Sequence, residues 1–161
     1  MLKVSFKDNF KKVQTFNDKA TVVTLTGNVR FSDELFSLIP LNFDTWIFHH
    51  PSVEITDSVV RGWTLKVSGT SICADGDSFN PVIGERIAES KAKLRIYKFM
   101  YTLCRKLLQH YFSIMYGNAE IDFASESHRE PQKDCLWVTL KKYKKLIMKE
   151  SKHLYELLKE T

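Results

Sequence analysis

VSGTSICADGDSFNPVIGERIAESKAKLRIYKFM, residues 67–100, is the stretch that organises this chain. It predicts a β-strand, a tight turn and the start of a long basic helix. The strand begins before it, because apolar Trp63, Leu65 and Val67 alternate with polar residues in the period of two of a half-buried strand. Gly69 interrupts this alternation, which indicates a bulge or a close approach of another backbone.

A turn and a capped helix start follow the strand. In Ala74-Asp75-Gly76-Asp77 the glycine can adopt a positive φ at little steric cost. An asparagine side chain accepts a hydrogen bond from a free backbone N–H at a helix start, and proline suits the first helical position. Asn80 followed by Pro81 therefore predicts a helix that begins at Pro81.

The same unit carries a resemblance to a known group of proteins. The residues concerned are Lys66-Val67-Ser68-Gly69, Cys73, Asp77-Ser78-Phe79-Asn80, Gly84, Ile87-Ala88 and Lys91-Ala92. This series resembles a segment of small uncharacterised tailed-phage proteins, in which a strand, a glycine, a cysteine and an Asp-x-Phe-Asp turn precede a helix. Asn80 stands in place of the second aspartate, and both residues can cap. The resemblance covers about a fifth of the chain. It implies a phage or prophage origin and no particular activity.

Length and composition favour one globular domain. The chain has 161 residues, and 43% hydrophobic and 12% aromatic content exclude general disorder. No apolar run approaches the length of a membrane span, and the N-terminus lacks the layout of a signal peptide. We therefore expect a single domain over residues 1–161, with no membrane partner, in the cytoplasm of a bacterial host.

Cysteine content and net charge narrow the functional classes. Cys73, Cys104 and Cys135 form no close pair, which favours buried thiols in a reducing compartment over a disulfide framework. The formal net charge of +5 favours anionic partners such as nucleic acid. The chain has no C-x-x-C, H-E-x-x-H, phosphate-binding glycine loop or nucleophile elbow. We therefore expect no metal, no cofactor and no enzymatic activity.

The first third of the chain is predicted to be mostly β-structure. Alternation at Val4 and Phe6 and again over residues 21–31 indicates strands, and Thr26-Gly27-Asn28-Val29 predicts a turn between two of them. Ser32 is the expected cap of a short helix that Pro40 ends. Further strands are expected at residues 46–48 and 53–60. All of them lead into the strand at Trp63.

The second half is predicted to be helical. Apolar residues recur every three or four positions over residues 81–116, about 54 Å of helix at 1.5 Å per residue, a length that suggests a kink or break. Gly117 is the expected stop, residues 120–134 a loop, and residues 138–158 a final helix. The predicted fold is α+β: a small antiparallel sheet from residues 1–73 packed on the long central helix and the C-terminal helix.

A basic stripe on the central helix is the first candidate binding surface. Lys91, Arg95, Lys98 and Arg105 are spaced to share one helical face, with Lys93 beside them and Tyr97 and Tyr101 interleaved. Such cations could neutralise successive phosphates, and the tyrosines could stack on bases. The alternative is an ordinary solvated face opposite the core.

A second candidate surface is the lysine-rich first half of the last helix, with Lys141, Lys142 and Lys145. Cations there oppose the helix dipole, which indicates a partner, although solubility is the alternative explanation.

These features favour a non-enzymatic phage-type accessory protein. Its partner would be nucleic acid or a host nucleoprotein complex, and an inhibitor of a bacterial defence system such as CRISPR is one concrete form. Two alternatives stay open. One is a protein that sequesters an anionic nucleotide, which needs cations that converge in a concavity. The other is a structural or assembly homo-oligomer, in which Phe99, Tyr101, Tyr111 and Phe112 would form an exposed patch.

Overall fold

The structure is a computed structural model, and it describes residues 4–39, 53–59, 61–117 and 134–160. Four strands and three helices lie in these ranges. In chain order they are β1 (Val4–Phe16), β2 (Ala20–Phe31), α1 (Asp33–Leu38), β3 (Glu54–Val59), β4 (Gly62–Ile72), α2 (Pro81–Tyr116) and α3 (Asp134–Lys159). Some predictions lie outside the described residues. They are the strand at residues 46–48, the helix end at Pro40 and the loop from residue 120 up to residue 133.

The predicted α+β fold is confirmed. The four strands form one antiparallel sheet in the order β1-β2-β4-β3. Helix α2 packs on the two central strands, and α3 packs mainly on α2. Both helices therefore lie on the same face of the sheet, and the hydrophobic core lies between that face and the helices.

The close approach predicted at Gly69 is confirmed and shows how α2 sits on the sheet. A Cβ at this position would overlap the carbonyl oxygen of Ala88 and lie 2.6 Å from the amide nitrogen of Ala92. Both alanines are fully buried. The glycine in β4 and the two alanines one turn apart in α2 thus let backbone pack directly against backbone.

The start of α2 is also as predicted. The Asn80 side-chain oxygen accepts hydrogen bonds from the backbone N–H of Val82 at 3.0 Å and of Ile83 at 3.2 Å, and Pro81 occupies the first helical position. Helix α2 continues for 36 residues without the break that its length suggested, and ends at Gly117 with φ of 71°. The last helix begins at Asp134, four residues earlier than predicted.

The predicted turn at residues 26–29 is wrong. Residues 20–31 form one continuous strand, and the turn of the β1–β2 hairpin is formed by Asn17 and Asp18, both with φ of 49°. Asparagine and aspartate tolerate this left-handed region better than most residues, so the pair Asn17-Asp18 was a signal in the sequence for the turn that the structure shows. Gly27 serves a packing role instead, because a Cβ there would overlap the ring of Phe6 on β1.

The aromatic patch proposed for an oligomer is also wrong. Phe99 is 0% exposed, and Tyr111 and Phe112 are each 6% exposed. Phe99 and Tyr111 belong to the hydrophobic core, and Tyr101 packs against it. Three of the four rings are therefore buried within the fold and are not available to a second copy of the chain.

Candidate nucleic-acid interface

Two cations of the predicted α2 stripe are bound to the sheet. Lys91 Nζ donates a hydrogen bond to the carbonyl oxygen of Thr70 at 2.9 Å, and the Arg95 guanidinium donates one to the carbonyl oxygen of Ser68. Both acceptors lie in β4. These side chains therefore serve as structural contacts between the helix and the sheet.

The carbonyls of Ser68 and Thr70 lie in a part of β4 that has β2 on one side and no described strand on the other. The pairing with β3 extends only as far as Glu54 opposite Lys66. Just after β4, the Cys73 N–H donates a hydrogen bond to the carbonyl of Lys19, which comes just before β2. Because backbone groups alternate in direction along a strand, the odd-numbered residues of β4 direct theirs toward β2. The backbone groups of even-numbered residues point the other way, where Lys91 and Arg95 reach their carbonyls.

Lys93 lies on a different flank of α2 and belongs to an ion-pair network. It contacts Glu89 at 2.7 Å, and Glu89 also pairs with Lys11 of β1, which contacts Glu85 at 2.7 Å. Burial is the largest single effect and opposes the charge of Lys93, but the hydrogen bond to Glu89 and the negative charges of Glu89 and Glu150 together outweigh it and raise the pKa of Lys93. Hydrogen bonds to Glu85 and Glu89 likewise raise the pKa of Lys11. The network ties β1 to α2.

Tyr97 faces α3 and is therefore also separated from Lys91 and Arg95. Its ring lies 6.2 Å from that of Tyr143 on α3, measured between centroids, and burial raises the pKa of its hydroxyl. A hydrogen bond of 2.6 Å from Ser90 to Glu150 joins the same two helices. The other α2 residues predicted to bind a partner differ in exposure: Lys98 and Arg105 are exposed, and Tyr101 is half-buried.

The predicted lysines of α3 form a separate surface. Lys141, Lys142 and Lys145 are exposed, and together with Lys149 they surround a shallow apolar cleft of about 450 Å³ floored by Val138 and Leu146. All six residues come from one helix, so the cleft is a space between neighbouring side chains.

A third surface, which we call the outer face, is the side of the sheet turned away from the helices. In β2, Val23, Leu25 and Val29 point toward the helices and are buried, whereas Thr24, Thr26 and Asn28 alternate with them and are only half-buried. Residues directly opposite in paired strands share a face, so the register gives the members of the outer face. They are Ser5, Lys7, Phe10, Lys12, Gln14 and Phe16 on β1; Ala20, Val22, Thr24, Thr26, Asn28 and Arg30 on β2; Thr64, Lys66, Ser68, Thr70 and Ile72 on β4; and Glu54, Asp57 and Val59 on β3.

A β-bulge in β1 places Phe10 on this face. The register shifts between Asp8 and Phe10, so Val4 and Phe6 point toward the helices while Phe10 and Phe16 point outward. An uninterrupted strand would have put Phe10 on the same side as Phe6, because side chains alternate with a period of two. Bulges commonly re-aim a side chain in this way. Phe10 is consequently 63% exposed and Phe16 48% exposed.

Cations outnumber acidic residues on the outer face, and the acidic residues lie on β3 alone. The cations are Lys7, Lys12, Arg30 and Lys66, and the acidic residues at outer-face positions are Glu54 and Asp57. Glu54 forms an ion pair of 3.4 Å with Lys66. Sequence reasoning missed this surface because it depends on strand pairing, although the aromatic and basic residues of Phe10–Phe16 were a visible signal.

The polar centre of the outer face is ordered by hydrogen bonds between β2 and β4. The Thr24 and Ser68 hydroxyls lie 2.9 Å apart, and the Thr64 hydroxyl donates to the Asn28 side-chain oxygen at 2.9 Å. Each hydroxyl can make at least one further hydrogen bond. Among the described helices and strands, none packs over this face.

A second concavity does not fit the nucleotide-sequestering alternative. It has a volume of about 430 Å³ and lies where the start of α2 meets the ends of β4 and α3. Among its lining residues Lys91 is the one cation, and the acidic residues Asp77 and Glu160 line the same concavity. Converging cations, which an anionic nucleotide requires, are therefore not found among the residues that line this concavity.

The three cysteines differ in burial. Cys104 is fully buried, and burial raises the pKa of its thiol to about 12. Cys73 and Cys135 are only partly buried, so the prediction of buried thiols holds for one of the three. Within the described ranges, no group of three or more His, Cys, Asp or Glu residues could hold a metal ion. Likewise, no helix in those ranges has the length and apolar character that a membrane crossing requires.

Comparisons of the chain with protein-family models, curated proteins and solved structures find no match. The geometry of the described surfaces is therefore the basis on which a function can be argued.

Proposed function

We propose that this chain is a non-enzymatic nucleic-acid-binding protein and that the outer face of its sheet is the binding surface. The observation that carries the proposal is the charge of the β1–β2 part of this face: Lys7, Lys12 and Arg30 point outward there, and the acidic residues of the face lie on β3 at the opposite edge of the sheet. Cations arranged on one open surface release counterions from the phosphates that they neutralise, which drives binding to any nucleic acid.

The outer face supports this function better than either surface predicted from the sequence. Lys91 and Arg95 on α2 hold sheet carbonyls, and Lys93 holds Glu89. A phosphate would have to displace these contacts, whereas Lys7 and Lys12 are exposed on an edge strand. A phage accessory protein that acts on nucleic acid or on a host nucleoprotein complex would use such a surface, and the phage-like segment in residues 66–92 favours that setting.

The test compares two variants that remove the same charge from different surfaces. One replaces Lys7, Lys12 and Arg30 with glutamine, and the matched control replaces Lys141, Lys142 and Lys145 with glutamine. Binding of labelled oligonucleotides is titrated at about 50 and 200 mM salt, the range over which charge-driven binding weakens steeply. The outer-face variant should bind more weakly, and its salt slope should fall by about 0.7 for each single-strand phosphate that it no longer neutralises.

The control should retain the affinity and the salt slope of the unmodified protein. An outer-face variant that binds as well as the control would show that the sheet is not the surface. A protein that binds no nucleic acid at low salt would remove the proposed function altogether. A third variant, with Lys98 and Arg105 replaced by glutamine, tests what remains of the α2 stripe without disturbing the sheet edge.

A further inference from the structure

We infer that the ligand of the outer face is single-stranded RNA, whose bases stack on Phe10 and Phe16. This inference rests on the proposed function and adds the class of ligand. Cations alone do not distinguish a duplex from a single strand, because both present phosphates. The exposed aromatic rings make that distinction, since only unpaired bases offer their faces for stacking.

The position of Phe10 is the first observation in favour. The bulge between Asp8 and Phe10 turns a large apolar ring out of the core side and into solvent. Phe10 is 63% exposed, and Lys12 follows it on the same face. The exposed ring of Phe10 adds nothing to the hydrophobic core. On an open sheet beside cations, such a ring can stack on a base while the cations contact the phosphates.

The spacing of the two rings gives the path of the strand. Phe10 and Phe16 are six residues apart on β1, which is about 20 Å at the rise of a β-strand. Lys12 lies between them, and Lys7 lies beyond Phe10. At about 3.4 Å per phosphate, this distance corresponds to about six nucleotides of a stacked strand and to fewer of an extended one. The rings therefore engage separate bases, and the backbone follows β1.

The polar groups of the central strands favour RNA over DNA. They are hydroxyls and one amide, including Thr24, Asn28 and Ser68, and hydroxyls both donate and accept hydrogen bonds. The ribose 2′-hydroxyl has the same dual capacity and is the group by which proteins distinguish RNA from DNA. A strand lying along β1 places its sugars beside this polar centre.

The experiment measures the affinity of a labelled uridine oligomer of about 12 nucleotides, a deoxy oligomer of the same length and a duplex. The proteins are the unmodified chain, Phe10→Ala, Phe16→Ala and, as the control, Phe36→Ala. Phe36 is matched because its ring is 46% exposed, close to the 48% of Phe16, and it lies on α1. Each outer-face variant should bind RNA about five- to 150-fold more weakly, the range of base–aromatic stacking.

Conservative variants separate stacking from folding. Phe10→Tyr and Phe16→Tyr should retain most of the affinity because a tyrosine ring also stacks, whereas Phe10→Leu should lose it despite its similar apolar character. Unfolding midpoints of all variants should stay near that of the unmodified chain, since both rings are exposed. Ultraviolet crosslinking to the uridine oligomer, with mass spectrometry of the peptides, should place the crosslinks at Phe10 and Phe16.

The possible results distinguish this inference from the proposed function. If the unmodified chain binds RNA and the duplex equally, or if the alanine variants bind like Phe36→Ala, the stacking inference is wrong while charge-driven binding stands. We expect RNA to bind about tenfold more tightly than the deoxy oligomer, since one or two net hydrogen bonds to the 2′-hydroxyls would give that difference. If the deoxy oligomer binds as tightly as RNA, the assignment to RNA is wrong. If no oligomer binds, the proposed function itself fails.

Discussion

Replacement of Gly69 by alanine should be severely destabilising, because this glycine is the point where α2 lies on the sheet. The added Cβ would overlap the Ala88 carbonyl oxygen and lie 2.6 Å from the Ala92 nitrogen and 3.0 Å from the Ala88 carbonyl carbon. An ordinary contact needs 3.4 Å or more. All three atoms are backbone atoms of a helix, so no side-chain rotation can relieve the overlap and the helix must move.

The magnitude follows from what that movement disrupts. A shift of α2 away from β4 loosens the packing around Val67, Ile96 and Phe99, all of them core residues with 2% exposure or less. Overpacking of a core typically costs 1–3 kcal/mol, and a clash between two backbones belongs at the upper end, about 3 kcal/mol. For a chain of this length that corresponds to a fall of roughly 6–12 °C in the melting temperature.

Gly76→Ala is the matched control for this prediction. Gly76 has a positive φ of 97° but no atom within 4 Å of an added Cβ, so alanine there carries only the backbone penalty, about 1–2 kcal/mol. Urea unfolding of both variants gives the two free energies of unfolding. A cost for Gly69→Ala below that for Gly76→Ala would refute the conclusion that the helix and sheet backbones meet at Gly69.

Three further variants test other contacts. Asn80→Ala should cost about 1 kcal/mol of stability in urea unfolding, since it removes the cap of α2; an unchanged midpoint would contradict this. Thr21→Val should raise stability by about 1 kcal/mol, because the buried hydroxyl has no hydrogen-bond partner among the described residues; a lower melting temperature would be the opposite result. Replacement of both Lys91 and Arg95 with alanine should uncover the edge of β4, because the two side chains bind its carbonyls. Light scattering should then show self-association that increases with concentration. If the variant stays monomeric at all concentrations, these side chains do not protect the edge.

The sequence was most informative where the determining interactions are local. The Asn80–Pro81 helix start, the Gly76 turn and the end of α2 at Gly117 all follow from the conformational preferences of a few neighbouring residues. The α+β class could be predicted for the same reason, since periodicity distinguishes strands from helices over any stretch of sufficient length.

The sequence was misleading where a residue is chosen for a distant partner. Gly27 suggested a turn, yet it lies inside β2 because the ring of Phe6 on the neighbouring strand occupies the space of a Cβ. Phe99 and Tyr111 suggested an exposed patch because a helical pattern does not say how much of the helix is covered. The sheet and α3 together cover more of α2 than one amphipathic face.

The candidate binding surface depended most on tertiary structure. Helical spacing correctly placed Lys91 and Arg95 on one side of α2, but only the packing of α2 on β4 brings them to sheet carbonyls. Likewise, the outward direction of Phe10 depends on a one-residue bulge, which reverses the faces of the rest of β1. Local sequence determines which residues share a strand or helix, whereas pairing and packing, which join residues far apart in the chain, determine whether those residues face the core or a ligand.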